Sequence, residues 1–196
     1  MKQTIRHTIL LLACSLLLSG TVMAQRISFG LYATDGIVLT DLTELNFNTK
    51  QQIIIGGETV PVSLTDDGVA VMSITGRTDL DITVTIDAQM TLDLDATNTI
   101  PLVIRFAYSN TGASNDTDAK MTAIEVPIGF TSVTFPVKRR TSGLPAPPPT
   151  PNYAGYVAPT ATAYLFVYGT LGPVPANAAA GMYTGNINIH AEYAKY

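Results

Sequence analysis

Sulfur, imidazole and indole are almost missing from this sequence. Its 196 residues include one cysteine, two histidines and no tryptophan. With only Cys14, no disulfide can form within the chain, so packing must stabilise the fold. With only His7 and His190, and with His7 inside a predicted leader, a His-based triad or two-His metal site would need a second chain. The sequence also lacks the nucleophile elbow G-x-S-x-G, the phosphate-binding P-loop and the dinucleotide fingerprint G-x-G-x-x-G. Charge is scarce at 13%, and the mean hydropathy of +0.26 is too apolar for a disordered chain.

What the N-terminus does contain is a tripartite leader. Lys2 and Arg6 precede the apolar run 9–18, and Val22 and Ala24 stand at positions −3 and −1 of a predicted cleavage site. The apolar run is too short to span a bilayer, which takes roughly 20 residues. A lipoprotein-type cut before Cys14, after Leu11, Leu12 and Ala13, is the alternative processing. Cleavage after Ala24 leaves a single domain of residues 25–196 and places the protein in the periplasm, on the cell surface or outside the cell. Nine basic residues then face 15 acidic ones, a net charge of −6 that disfavours nucleic acid and anionic membrane as partners. No membrane span is expected after processing.

Along the mature chain the apolar residues recur with period two, the spacing of strands with one buried face. Ile27, Phe29, Leu31 and Ala33 alternate with small or polar residues, and Ile82, Val84 and Ile86 alternate with Asp and Thr. Further strands are predicted over 69–74, 91–95, 101–108, 121–128, 132–138, 163–170 and 182–193. Asp35-Gly36, Gly56-Gly57, Asp67-Gly68 and Gly181 supply turns. The pattern predicts an all-β, immunoglobulin-like or pilin-like β-sandwich of about nine or ten strands. The segment 109–120 is polar and reads as an exposed loop. Residues 141–160 hold six of the 12 prolines and read as a loop within the domain.

Few residues are candidates for chemistry. Asp79, Asp81, Asp93 and Asp95 come nearest to a carboxylate cluster, but their alternation with Ile82, Leu92 and Leu94 makes them the polar faces of strands. Asn115, Asp116 and Asp118 offer oxygens for calcium yet lack the glycine and distal glutamate of an EF-hand loop. His190 reads as a solvent-facing strand residue, and Lys138, Arg139 and Arg140 as a solvated strand end. Tyr153 and Tyr156, inside the proline-rich loop, are candidates for stacking on a sugar or contacting another subunit, although the same rings suit packing on the nearby prolines. No catalytic residue, metal or cofactor is expected.

The ending AYLFVYGTLGPVPANAAAGMYTGNINIHAEY, residues 163–193, resembles the C-terminal signature of the DUF4402 family of exported bacterial proteins. The stretch VAVMSITGRTDLDITVTID, residues 69–87, is similar to an earlier element of the same family. Gly181, Tyr183, Gly185 and Tyr193 carry the C-terminal likeness, while the proline-rich insertion and Tyr168 depart from it. The same ending is similar, over a shorter span, to pilin subunits of the spore-coat-U and chaperone-usher type. The resemblance implies export and a sandwich fold. The pilin likeness further implies assembly by an N-terminal donor strand, for which Ile27, Phe29, Leu31 and Ala33 are the candidate, although the same residues suit an ordinary first strand.

The reading that follows is a non-enzymatic structural or adhesive surface protein whose partners are copies of itself or other surface proteins. The alternative is an extracellular module that binds carbohydrate or another ligand.

Overall fold

In the computed structural model, residues 25–34, 36–48, 56–140 and 157–195 are described. The predicted leader 1–24, the greater part of the proline-rich segment, and with it Tyr153 and Tyr156, lie outside them.

Eleven strands and one short helix make up the described residues. In chain order they are β1 (Arg26–Ala33), β2 (Val38–Thr43), β3 (Val60–Val62), β4 (Ala70–Arg77), β5 (Asp81–Ala88), β6 (Thr91–Asp93), β7 (Thr99–Ser109), α1 (Asp116–Met121), β8 (Ile124–Glu125), β9 (Ser132–Pro136), β10 (Thr160–Leu171) and β11 (Thr184–Tyr193). The first sheet runs β1-β11-β5-β9, with β6 meeting the start of β11. The second runs β2-β4-β10-β7, with short β3 on β10 and short β8 on β7. Strand β7 joins the two, because Thr99–Pro101 pairs with β6 and Leu102–Ser109 with β10. All pairings are antiparallel except β1 on β11, which is parallel.

The inner faces are those the alternation specified. Ile82, Val84 and Ile86 of β5 meet Met72 and Ile74 of β4 and Leu165, Val167 and Leu171 of β10 in one core. Fully burying such a side chain contributes about 1.5–3 kcal/mol, which is how a domain without a disulfide holds together. The all-β sandwich expected from the sequence is therefore the fold.

Three details differ from the sequence expectation. Strands β2 and β3 carry no clear period-two signal, since β2 is an edge strand with only Leu39 packed on the core and β3 is three residues long with Pro61 at its centre. Residues 109–120 are not wholly an exposed loop. Ser109 and Asn110 are buried, and α1 follows, started by Asn115, whose side-chain oxygen accepts from the Asp118 N–H at 2.8 Å. The helix buries Ala119 completely and packs on β10, whose outward residues Tyr164, Phe166 and Tyr168 are buried too. Finally, 121–128 is a strand only at Ile124–Glu125, because Met121 ends the helix and Pro127 begins a tight turn.

Candidate functional site

The candidate assembly strand β1 lies at the edge of the first sheet. It runs beside β11 over its whole length, from Arg26 opposite Thr184 to Ala33 opposite Ala191. The Arg26 N–H also donates to Tyr183 O at 3.0 Å, and the Thr34 N–H to Ala191 O at 3.1 Å. Ile27 is buried, Phe29 and Leu31 are half-buried against the core, and Ala33 is exposed. No described strand pairs with its other edge. On the outer face Tyr32 stacks on His190, with ring centroids 4.7 Å apart and planes 11° from parallel. His190 is thus an exposed strand residue, as its sequence context implied, but with an aromatic neighbour that only the pairing reveals. Gly30 lets that neighbour lean over the strand, since a Cβ there would meet the Tyr32 ring at 3.0 Å.

Gly181, Tyr183, Gly185 and Tyr193 make packing contacts. Tyr183 is fully buried and its hydroxyl donates to Ala179 O at 3.0 Å. Burial raises the pKa of that phenol above its ordinary value. A Cβ on Gly181 would stand 2.6 Å from a Leu94 methyl, and one on Gly185 2.5 Å from a methyl of fully buried Leu92. Tyr193 ties three elements together: its hydroxyl donates to Gly36 O at 2.8 Å and accepts from the Arg77 N–H at 3.0 Å.

The aspartates do not converge. Asp81 lies beside the end of β11, where its carbonyl accepts from the Ala194 N–H, while Asp93 lies opposite Thr184 at the start of that strand. Ten strand residues separate the two ends, about 30 Å. Each acid has its own local role. Asp79 holds Arg77 at 2.6 Å, a hydrogen bond that lowers its pKa, and Asp81 holds Arg140 at 2.7 Å. Asp95 accepts from the Thr97 and Asn98 N–H groups and from the Asn98 side chain, which keeps its carboxyl well below the usual carboxylate range. No cluster of three potential metal ligands occurs among the described residues.

On the second sheet Arg105 lies over the Tyr168 ring at 5.5 Å and pairs with Glu125 at 2.7 Å. The Tyr168 hydroxyl is buried without a hydrogen-bond partner among the described residues, and burial together with the Glu125 carboxylate pushes its pKa up to about 12.

The feature that sequence reading missed is a groove on the opposite flank from β1. It has a volume of about 430 Å3 and runs between the β7 residues Leu102–Phe106 and the end of β5 at Ile86–Ala88. The turn from Pro127 to Phe130, closed by the Phe130 N–H donating to Pro127 O at 3.2 Å, overhangs it. Gly129, at φ +92°, supplies the left-handed conformation this turn requires, and Ile128 and Phe130 project beside it, 76% and 64% exposed. The exposed apolar side chains were visible in the sequence; the gap between the sheets was not. Toward known proteins the chain shows no match, either to a family model or to a curated sequence.

Proposed function

We propose that this protein is a non-enzymatic, exported structural or adhesive component that assembles by exchanging β1 between copies. The observation that carries this reading is the placement of β1: the first described strand in chain order after the predicted leader, at a sheet edge, paired among the described residues with β11 alone. The eight-residue register on β11 makes the same contacts whether β1 comes from its own chain or a neighbour, so concentration and the length of the connection from β1 to β2 decide between them. Export is supported by the leader pattern, and no helix among the described residues is long and apolar enough to cross a membrane. The docking surface is supported by Tyr183 and Tyr193, which brace the start and end of β11, where β1 docks.

Cysteine chemistry tests the exchange, because the processed chain carries no cysteine of its own. Tyr32 and His190 are direct partners across β1 and β11 and are exposed. Copies bearing only Tyr32→Cys, mixed during refolding with copies bearing only His190→Cys, are expected to give a disulfide-linked dimer. A cross-link obtained only when both cysteines share one chain, together with a monomeric native mass, would refute exchange.

A further inference from the structure

We infer that Gln25 is a modification site, at which the end of β1 closes into a pyroglutamate lactam once the leader has been removed. This inference rests on the cleavage read after Ala24, which makes Gln25 the first residue of the mature chain.

The reaction needs only groups that this residue carries. The α-amine nitrogen freed by cleavage attacks the side-chain Cδ of Gln25. The N–Cδ bond forms, the Cδ–Nε2 bond breaks, and Nε2 leaves as ammonia with one of the two amine protons. The γ-lactam keeps the side-chain oxygen Oε1 and one N–H, and no oxidant, reductant or water is consumed. An α-amine titrates near pH 8, so about a tenth of it is the unprotonated nucleophile at pH 7.

The structure leaves both reacting groups of Gln25 untied. The β1–β11 ladder starts one residue later, with Arg26 opposite Thr184 and the Arg26 N–H donating to Tyr183 O at 3.0 Å, so the Gln25 α-nitrogen stands outside it. Gln25 Oε1 is buried and has no hydrogen-bond partner among the described residues. An amide oxygen held there gains nothing from its place, and no bond at that oxygen has to break for the side chain to fold back on the amine. There is also room. Gln25 borders a hollow of about 560 Å3 whose wall includes buried Ile27 and Leu45 and exposed Thr43, Glu44 and Asp67. Exposed carboxylates such as Glu44 and Asp67 hold an ammonium only weakly, so pairing with them does not fix the chain end against ring closure.

Closure changes what the end of β1 offers to other proteins. Aminopeptidases grip a free α-ammonium, and the lactam has none. Ile27, 4% exposed, is the first buried side chain of β1 and is separated from Gln25 only by Arg26. Trimming that reached it would remove the first anchor of the strand on β11, so the lactam protects β1 whenever the strand is unpaired.

The full chain with its leader is produced in an exporting bacterial host, and the purified protein is measured by intact mass spectrometry and sequenced from its N-terminus. The expected mass is that of residues 25–196 less one ammonia. Edman degradation should give no sequence until a pyroglutamyl peptidase, acting on the unfolded chain, has removed the ring, and should then begin at Arg26. Gln25→Asn keeps the amide with one methylene fewer, and its ring would be a strained β-lactam. That chain should carry its full mass, yield sequence directly and lose terminal residues to an aminopeptidase that leaves the unsubstituted chain intact. A chain that begins at Gln25 and keeps its free amine through prolonged incubation at mildly alkaline pH would overturn the proposal while leaving the cleavage reading standing. The same ammonia deficit in Gln25→Asn would place the loss at another residue and overturn it as well. A mature chain beginning elsewhere would overturn both readings.

Discussion

The two flanks of this sandwich solve the same problem in opposite ways. On one, β11 is covered by β1 in parallel, and Tyr193 bolts the turn at Gly36 and the end of β4 to the sheet. On the other, β9 and β7 touch where Phe135 stacks on Tyr108, with centroids 4.1 Å apart, and then separate, leaving Ile104 half-covered. Covered backbone and buried aromatics make the first flank a source of stability. Exposed Met90, Ile128 and Phe130 bury little of their surface and contribute little to the stability of the second flank.

The sharpest way to break this contrast is at Tyr183. Its ring is fully enclosed where β11 begins, so Tyr183→Ala removes an aromatic side chain and a hydrogen bond from the covered flank. A loss of about 3–5 kcal/mol is expected from urea unfolding. A smaller loss would mean that the site collapses around the cavity and that Tyr183 matters less to packing than its burial implies.

Tyr193→Phe keeps the ring and removes only the hydroxyl, leaving Gly36 O and the Arg77 N–H to find water or go unpaired. About 1–3 kcal/mol should be lost. In the same variant, amide exchange should accelerate at Gly36, Ile37 and Arg77 more than at the core of β10, because the Tyr193 hydroxyl bonds Gly36 and Arg77.

Acid probes the β6–β7 turn, which lies between the two flanks. The folded carboxyl of Asp95 has a depressed pKa, held down first by the Thr97 N–H and then by the Asn98 side chain. Its contribution is therefore present above the unfolded carboxylate value, near 3.9, and is lost as pH falls below it toward the folded value. In Asp95→Asn that part of the acid dependence should vanish, so stability plotted against pH should fall less steeply below pH 4 than in the unsubstituted protein. An identical slope would show that the hydrogen bonds to Asp95 are too mobile in solution to hold the charge.

How much of this was legible beforehand follows from which residues carry a periodic signal. Strand β5, with Ile82, Val84 and Ile86 buried and threonines between, announces itself, and so do Ile187, Ile189 and Ala191 on β11. Strand β2 does not, because an edge strand with one packed leucine has no stripe to read. The helix at Asp116–Met121 was hidden behind a polar composition that also suits a loop, although Asn115 followed by Asp118 is a capping arrangement. The role of β1 was only half visible: its alternation showed a buried face, while its parallel pairing with the last strand is a long-range fact. The groove was illegible for the same reason, since it is the space between Leu102–Phe106 and Ile86–Ala88 and no local run encodes it.

The smallest expected effect is also the one that separates the flanks most clearly. Ile128 and Phe130 are large apolar residues, a type whose replacement by aspartate is costly where the side chain is buried. In the structure both project from a turn whose geometry depends on Gly129, and both remain mostly exposed. Phe130→Asp and Ile128→Asp should therefore change unfolding free energy by no more than about 0.5 kcal/mol, the range of ordinary surface substitutions. A loss of several kcal/mol on chemical unfolding would mean that the turn folds down over the groove in solution, burying Phe130 against Ile104 and closing the second flank as β1 closes the first. A neutral result leaves that flank open, with Ile128 and Phe130 exposed as they stand in the structure.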